Sequence, residues 1–354
     1  MLDAYIYEGL RTPFGRHGGS LAKVRPDDLL AEVMKSVMAK SKFKIEQVED
    51  IIVGCANQSG EDSRCVARHA GLSAGFPIEI PGTVLQRNCA SGLGALAHAA
   101  HSITAGEGDV FIVAGVESMS RSPIVMSRAE SAFDRGIKFF DSTIGPRFSN
   151  PKLTKQFGDP QMPQTADNLA REYSISREEA DTFAVASQTK FATAKGEGFF
   201  AGEIAPVEMP ATRKGPVPPV AEDEHPRPGT DMATLAKMKA LYEGGVTTAG
   251  NASGVNDGAI ALIVGSLAAG EKAGAKPIAR VISTAAMGVP PHIMGIGPVA
   301  ASKKALARVG LTVKDMDVIE INEAFATQVL SCLKGLGVAL DDKRVNPNGG
   351  AIAV

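Results

Sequence analysis

Residues 45–54, Ile45-Glu46-Gln47-Val48-Glu49-Asp50-Ile51-Ile52-Val53-Gly54, put a polar link directly before an apolar run that ends in glycine. The segment before it reads as a helix from Pro26 to about Ala39. Pro26 suits the first helical position, and Asp27 and Asp28 suit the positive end of the helix dipole. Leu29, Leu30, Val33, Met34, Val37 and Met38 recur on one face. Ile51-Ile52-Val53 then reads as a buried strand. The order returns late in the chain. Pro298 opens a helix that Gly310 closes, Val313-Lys314-Asp315-Met316-Asp317 links it onward, and Val318-Ile319-Glu320-Ile321 reads as a second strand. Asn322 then stands where Gly54 stands in the first copy. Two distant copies imply a duplicated α/β unit with pseudo-symmetric packing, not a solenoid.

The stretch between the copies differs. Residues 121–165 are rich in turn formers and show no period. Ser176 and Glu179 form a capping box for a helix ending near Gly196. Seven prolines between 206 and 230 exclude a long helix there. This middle third reads as an insertion over a site built by the two copies.

With 37 Lys and Arg against 39 Asp and Glu, the chain lacks the basic excess of a nucleic-acid binder. It has no tryptophan and few tyrosines for stacking on bases. No apolar run nears the ~20 residues that span a bilayer, so no membrane partner is expected. Cys55, Cys65, Cys89 and Cys332 are irregularly spaced, which fits free thiols in a cytoplasmic setting. Cys65 and His69 form an i,i+4 pair without further ligands, so no metal is expected.

Chemistry concentrates in four segments. In Gln86-Arg87-Asn88-Cys89-Ala90-Ser91-Gly92-Leu93-Gly94, a short strand runs into a small-residue helix reaching about Thr104, and Cys89 falls at its start. Amide N–H groups and the dipole favour a thiolate there, which suits a nucleophile for acyl transfer. Two other readings stand beside this one. Cys89 could be a small buried hydrophobe, and Gly92-x-Gly94-x-x-Ala97 with Glu117 matches a dinucleotide fingerprint. The second segment, Thr247 to Gly258, is either a turn-rich loop or a surface bare of bulky side chains on which a thin ligand lies. In the third, Glu320 to Ala326, Asn322 either orients a water or oxyanion or caps a helix. The fourth is Asn346-Pro347-Asn348-Gly349-Gly350.

Asn88-Cys89-x-Ser91-Gly92, Gly115-Val116-Glu117-Ser118-Met119-Ser120, Gly250-Asn251-Ala252-Ser253-Gly254, Asn322-Glu323-Ala324-Phe325 and Asn346-Pro347-x-Gly349-Gly350 occur in this order. Together they resemble the thiolase family over essentially the whole chain. Arg11-Thr12-Pro13-Phe14-Gly15, the Asn57–Arg64 stretch and Asp141-Ser142-Thr143-Ile144-Gly145 look most like the degradative 3-oxoadipyl-CoA (β-ketoadipyl-CoA) thiolases.

The resemblance implies two βαβαβαββ halves in five layers (α-β-α-β-α) with an inserted loop domain. The corresponding stretches are 1–120, 121–250 (covering CoA) and 251–354. It implies an acyltransferase that cleaves a 3-ketoacyl-CoA through an acyl-Cys89 intermediate, or runs the reverse Claisen condensation. Asn322 would act through water on the thioester oxygen. Coenzyme A is the co-substrate, with no other cofactor. It would lie along Ala249–Ser253 and touch Arg227, Thr234 and Met238, while Met294 and Phe325 line the site. Lys237 and Lys239 could draw in its phosphates or be plain solvated charges. Relatives form dimers or dimers of dimers. The family's Gly-His-Pro motif would begin just after Val354, and a Cys-x-Gly motif would follow. Neither lies within these residues, so the second half is expected to be truncated. A biosynthetic acetoacetyl-CoA thiolase and a non-catalytic acyl-CoA-binding relative are the alternatives.

Overall fold

The computed structural model describes residues 1–211, 213 and 215–354. By internal contacts the chain divides into two units. One comprises Met1–Ile144, Ala201–Glu224 and Val255–Thr284, the other Gly145–Phe200, His225–Gly254 and Ala285–Val354. The 121–250 stretch contributes residues to both.

The first unit carries β1 (Ala4–Arg11), β2 (Gly15–Arg16), α1 (Pro26–Lys40), β3 (Asp50–Gly54), α2 (Val66–Ser73), β4 (Gly82–Leu85), α3 (Ser91–Ala105) and β5 (Val110–Ser118). A hairpin of β6 (Ile124–Met126) and β7 (Phe139–Asp141) follows. The second unit holds α4 (Pro151–Phe157), α5 (Met162–Glu172), α6 (Arg177–Gly196) and α7 (Met232–Ala236). The chain then returns to the first unit for β8 (Asn256–Gly265), α8 (Leu267–Ala273) and β9 (Ala279–Val281), and closes in the second with α9 (Gly297–Ala307) and α10 (Ala326–Leu336).

The main sheet runs β4-β3-β5-β8-β1-β9, with β2 beside β8. β3 is parallel to β4 and β5, whereas β8 is antiparallel to β5 and β1. Side chains alternate between its faces as the strand period demands. Ile51, Val53, Ile112, Ala114 and Ile263 pack with α1 and α2. Ile52, Phe111, Val113 and Val264 pack on the other face against Ala95, Ala99 and Ile103 of α3. Such burial on both faces explains why these strands read as continuous apolar runs.

The helix beginning at Pro26 forms as the sequence predicts, with the proline at its start and Asp27 and Asp28 in its first turn. The linker repeat also holds locally. A 3₁₀ turn at Ile45–Gln47 precedes β3, and another at Val313–Asp315 precedes Val318–Ile321. The second strand differs from expectation. Among the described residues, Ile319 makes only an isolated parallel bridge with Val345. Its amide bonds Arg344 O, and its carbonyl accepts from Asn346 N. A ladder needs a continuous neighbour, and only this short segment runs alongside.

Residues 121–165, read as aperiodic, contain the β6–β7 hairpin and α4. The signals for α4 were present. Asn150 caps it through Lys152 N, and Pro151 opens it. In the proline-rich stretch Val207 and Val220 pair in an antiparallel bridge within the first unit.

Candidate functional site

In the first unit, Cys89 lies two residues before α3, on the turn that joins β4 to it. Asn88 adopts a left-handed φ of 47°. Its carbonyl accepts from Ser91 N at 3.0 Å and from Ser91 Oγ at 2.6 Å, while Ser91 Oγ also receives Arg87 N at 2.8 Å. Buried Ser91 thus folds the turn around Cys89 while Cys89 stays exposed. Beneath the turn, a Cβ on Gly54 would stand 2.4 Å from Gly92 N. Only glycine lets the end of β3 approach the first turn of α3 so closely.

The four thiols are all free, but their settings differ. Cys55 and Cys332 are buried, and Cys65 donates to Gly82 O at 3.2 Å. Burial pushes the Cys332 thiol up to about 11. Cys89 alone is exposed. Its setting departs from the expectation of a stabilised thiolate. Enough protein surrounds the sulfur to push the thiol above its ordinary range, its own amide opposes this, and the Glu117 carboxyl adds to the rise. The start of α3 therefore does not ionise Cys89 unaided, and a proton acceptor has to do so.

Glu117, next to last in β5, accepts from Ala56 N at 2.9 Å and Asn57 N at 3.0 Å. Cys55, Asp62 and Glu117 offer ligand atoms within 4.8 Å of one another, a grouping that spacing did not disclose. These groups already serve the local turn. Asp62 accepts from Gly60 N, and Cys55 donates to Asn57 O.

In the second unit, Asn322 is exposed and its carboxamide bonds no described residue. It is not a helix cap, because α10 starts at Ala326 after Phe325. Both flanks of Asn322 are clamped. Asn346 is buried, accepts from Ile321 N at 2.9 Å, and donates to Ile321 O at 2.9 Å and Glu323 Oε1 at 2.8 Å. Glu323, 1% exposed, also receives Ser187 Oγ at 2.6 Å and Ile352 N at 3.1 Å. The glycines of the Asn346–Gly350 motif make room. A Cβ on Gly350 would lie 2.4 Å from the Glu323 carboxyl carbon, and one on Gly349 would lie 2.7 Å from Ser187 O.

The residues expected to hold coenzyme A all belong to this second unit. Ser253 N donates to Ala324 O at 3.0 Å, Ala252 bridges Phe325, and Ala326 N donates to Asn251 O. The Ala249–Ser253 loop therefore runs beside the Asn322–Phe325 motif. Met238 joins them, since a Cβ on Gly250 would meet its sulfur at 2.6 Å. Thr234 is exposed in α7, where Asp231 caps its amide. Arg227 has an exposed side chain and is tied through its amide to Gln188 Oε1. Met294 is 40% exposed on the 3₁₀ segment Pro291–Ile296, while Phe325 is buried.

The sequence places Asn251 in a stretch that is either a turn-rich loop or a bare surface, and the structure makes its side chain the keystone of the loop. It is wholly buried, donates to Asp181 Oδ1 at 2.9 Å and Val246 O at 3.1 Å, and accepts from Thr248 N at 2.7 Å.

The thiolase N-terminal domain family matches residues 4–268 and the thiolase C-terminal domain family residues 275–354. This chain belongs to the thiolase family. The dinucleotide reading of Gly92 and Gly94 is thereby set aside. Gly94 instead admits α3 to β4, where a Cβ would meet Leu85 Cδ2 at 2.5 Å. The chain is 50% identical to the 3-oxoadipyl-CoA/3-oxo-5,6-dehydrosuberyl-CoA thiolase of Escherichia coli K12, over its whole length and 88% of that protein. It is 51% identical to a beta-ketoadipyl-CoA thiolase of Pseudomonas putida, with the same coverage. The structure of human mitochondrial 3-ketoacyl-CoA thiolase in complex with CoA matches 99% of this thiolase chain and 86% of its own, with a TM-score of 0.89 and 37% identity.

Proposed function

We propose that this thiolase cleaves 3-oxoadipyl-CoA with coenzyme A, through an acyl-Cys89 intermediate. The observation that carries the reading is that Cys89 is the exposed thiol, on a turn shaped by Ser91 and Gly54, while the other three are buried or tied. Identity near 50% to enzymes named for that substrate supports the choice of acyl chain.

Chemically, a base takes the Cys89 proton and the sulfur adds to the 3-keto carbon. The bond between C2 and C3 breaks, and its electron pair stays on C2 as the enolate of acetyl-CoA. Protonation at C2 releases acetyl-CoA. The thiolate of a second CoA then attacks the acyl-sulfur carbon, frees Cys89 and carries off the shortened acyl group. The enolate is the costly species, so a donor aimed at its oxygen supplies much of the rate. Asn322 takes that role, directly or through a water, which its unpaired carboxamide supports. Coenzyme A lies along Ala249–Ser253, with Arg227, Thr234 and Met238 beside it and Met294 and Phe325 lining the acyl end. The exposed backbone of the loop and the support beneath it from Asn251 favour this. Residues 1–120 and 251–354 serve as the catalytic halves and 121–250 as the cover for CoA.

We also propose a homodimer or a dimer of dimers in the cytoplasm. Among the described residues β4 stands at one sheet edge with no further strand beside it, and a second copy would cover it about a twofold axis. Four free thiols suit a reducing compartment. No helix among the described residues is long and apolar enough to cross a membrane.

Steady-state rates on 3-oxoadipyl-CoA, acetoacetyl-CoA and longer 3-ketoacyl-CoAs, with mass analysis of the Cys89 peptide, test the reading. The highest kcat/KM should fall on 3-oxoadipyl-CoA, with an acyl adduct on Cys89. Preference for acetoacetyl-CoA would assign the biosynthetic reaction instead, and no adduct with any thioester would overturn the nucleophile. Asn322→Ala should lower kcat about 10²-fold while the adduct still forms slowly.

A further inference from the structure

The turn that carries Cys89 is tied to its own sheet by a relay that the reaction scheme leaves unused. Glu117, next to last in β5, holds the Ala56 and Asn57 amides at 2.9 and 3.0 Å and so fixes the turn that follows β3. The Ala56 carbonyl, on that same turn, accepts from Gln86 Nε2 at 3.3 Å. Gln86 Nε2 also donates to Asn88 Oδ1 at 3.0 Å. Asn88, with its left-handed backbone, immediately precedes Cys89. A strained residue of this kind persists only where its surroundings over-determine it, and Gln86 and Ser91 hold it from its two ends.

We propose that Glu117 is a positioning residue for Cys89, acting through the Ala56–Asn57 turn and the Gln86 carboxamide. The inference rests on Cys89 being the acylated nucleophile. Glu117 touches no reacting atom. It sets where the sulfur stands and what charge faces it.

The charge gives the relay a second consequence. Burial is the main cause that raises the Cys89 thiol, and the Glu117 carboxyl adds to it. Burial also raises Glu117 itself, and Asp62 and Cys55 are the titratable groups that face it in turn. Arg87, two residues before Cys89, is the cation on the same turn. When ionised, Glu117 opposes a thiolate but not a neutral acyl-sulfur. Its charge therefore disfavours free thiolate relative to the acylated enzyme, and it discourages oxidation of the resting thiol.

Two substitutions separate this role from a structural one. Glu117→Gln keeps the size, removes the charge and sets an NH2 donor against one of the two amides that the carboxylate accepts, which loosens the relay. Gln86→Ala cuts the relay at an exposed residue without removing a core group. Each variant and the double variant are assayed for kcat and KM, and for the rate of Cys89 alkylation by iodoacetamide as a function of pH.

Glu117→Gln should lower kcat at least tenfold with KM within threefold, and move the alkylation midpoint to lower pH. Gln86→Ala should lower kcat several-fold and leave the alkylation midpoint in place. The double variant should be no worse than Glu117→Gln alone, because both act on one relay. An alkylation midpoint unmoved in Glu117→Gln, or effects on kcat that multiply independently, would overturn the proposal. Alkylation reads the sulfur without substrate. A parent enzyme that forms no acyl adduct yet shows the shift would thus indict the proposed reaction and not the relay.

Discussion

The two regions that present functional side chains are built in opposite ways. Cys89 sits on an exposed turn shaped by backbone bonds, by the hydroxyl of Ser91, by the absence of a side chain at Gly54 and by the exposed Gln86 carboxamide that reaches Asn88 from outside. Asn322 sits between two residues locked by buried polar side chains, Asn346 and Glu323, whose partners come from α6 and from residues 346–352. The difference teaches that a reactive group can be aimed either by letting backbones meet or by surrounding its neighbours with satisfied hydrogen bonds. The first way leaves the residue replaceable without structural loss. The second makes the frame around the residue part of the core.

Substitution at the turn gives the largest effect, and it falls on activity alone. Cys89→Ala should lower kcat/KM by about 10⁴-fold or more, with a melting temperature within a degree or two of the parent. A large loss of stability would show that the turn is part of the core and would erase the contrast. Next comes the frame around Asn322. Glu323→Ala strands the buried Asn346 Nδ2 and Ile352 amide without their acceptor, and should cost about 3 kcal/mol in urea unfolding. A cost below ~1 kcal/mol would mean that water replaces the lost carboxyl and that the clamp is looser than its geometry implies.

The smallest effect concerns pH. Burial raises the Cys332 thiol from 9.0 to about 11, so the folded state holds its proton more tightly than the unfolded chain does. The resulting stability is whole below pH 9 and drains away as pH climbs through 11. Melting temperatures of Cys332→Ala should fall less steeply than the parent's across that window. Equal slopes would mean that Cys332 titrates as an open thiol.

Much of the frame was legible because it is written in local periods. The apolar face of α1, the apolar run of β3 and the Ser176–Glu179 box that starts α6 are readable within ten or twenty residues. Cys89 was legible as a thiol at a strand-to-helix turn. The strand at Val318–Ile321 was misread because apolar sequence predicts burial, whereas a ladder also needs a partner. The supports of the site were not legible. Glu323 meets Ser187 across 136 residues, and Asn251 meets Asp181 across 70. Bonds of that reach leave no period, and a buried Asn or Glu looks in sequence like any polar residue. Glu117 stands out in sequence only as a member of a dinucleotide-like fingerprint and of a family motif, and neither discloses that its oxygens face the Ala56–Asn57 turn.

The seating of β8 between β5 and β1 has a consequence for synthesis. This inner strand leaves the ribosome long after both neighbours. At ~5–20 residues per second, the interval between Ser118 and Asn256 is roughly ten seconds. Throughout it, β5 and β1 must wait with open hydrogen-bonding edges, and strands in that condition recruit whatever extended peptide passes. A nascent chain of this design should lean on chaperones until Asn256–Gly265 arrives to fill the gap between β5 and β1, and slowing translation just before that segment should lower the yield of active protein.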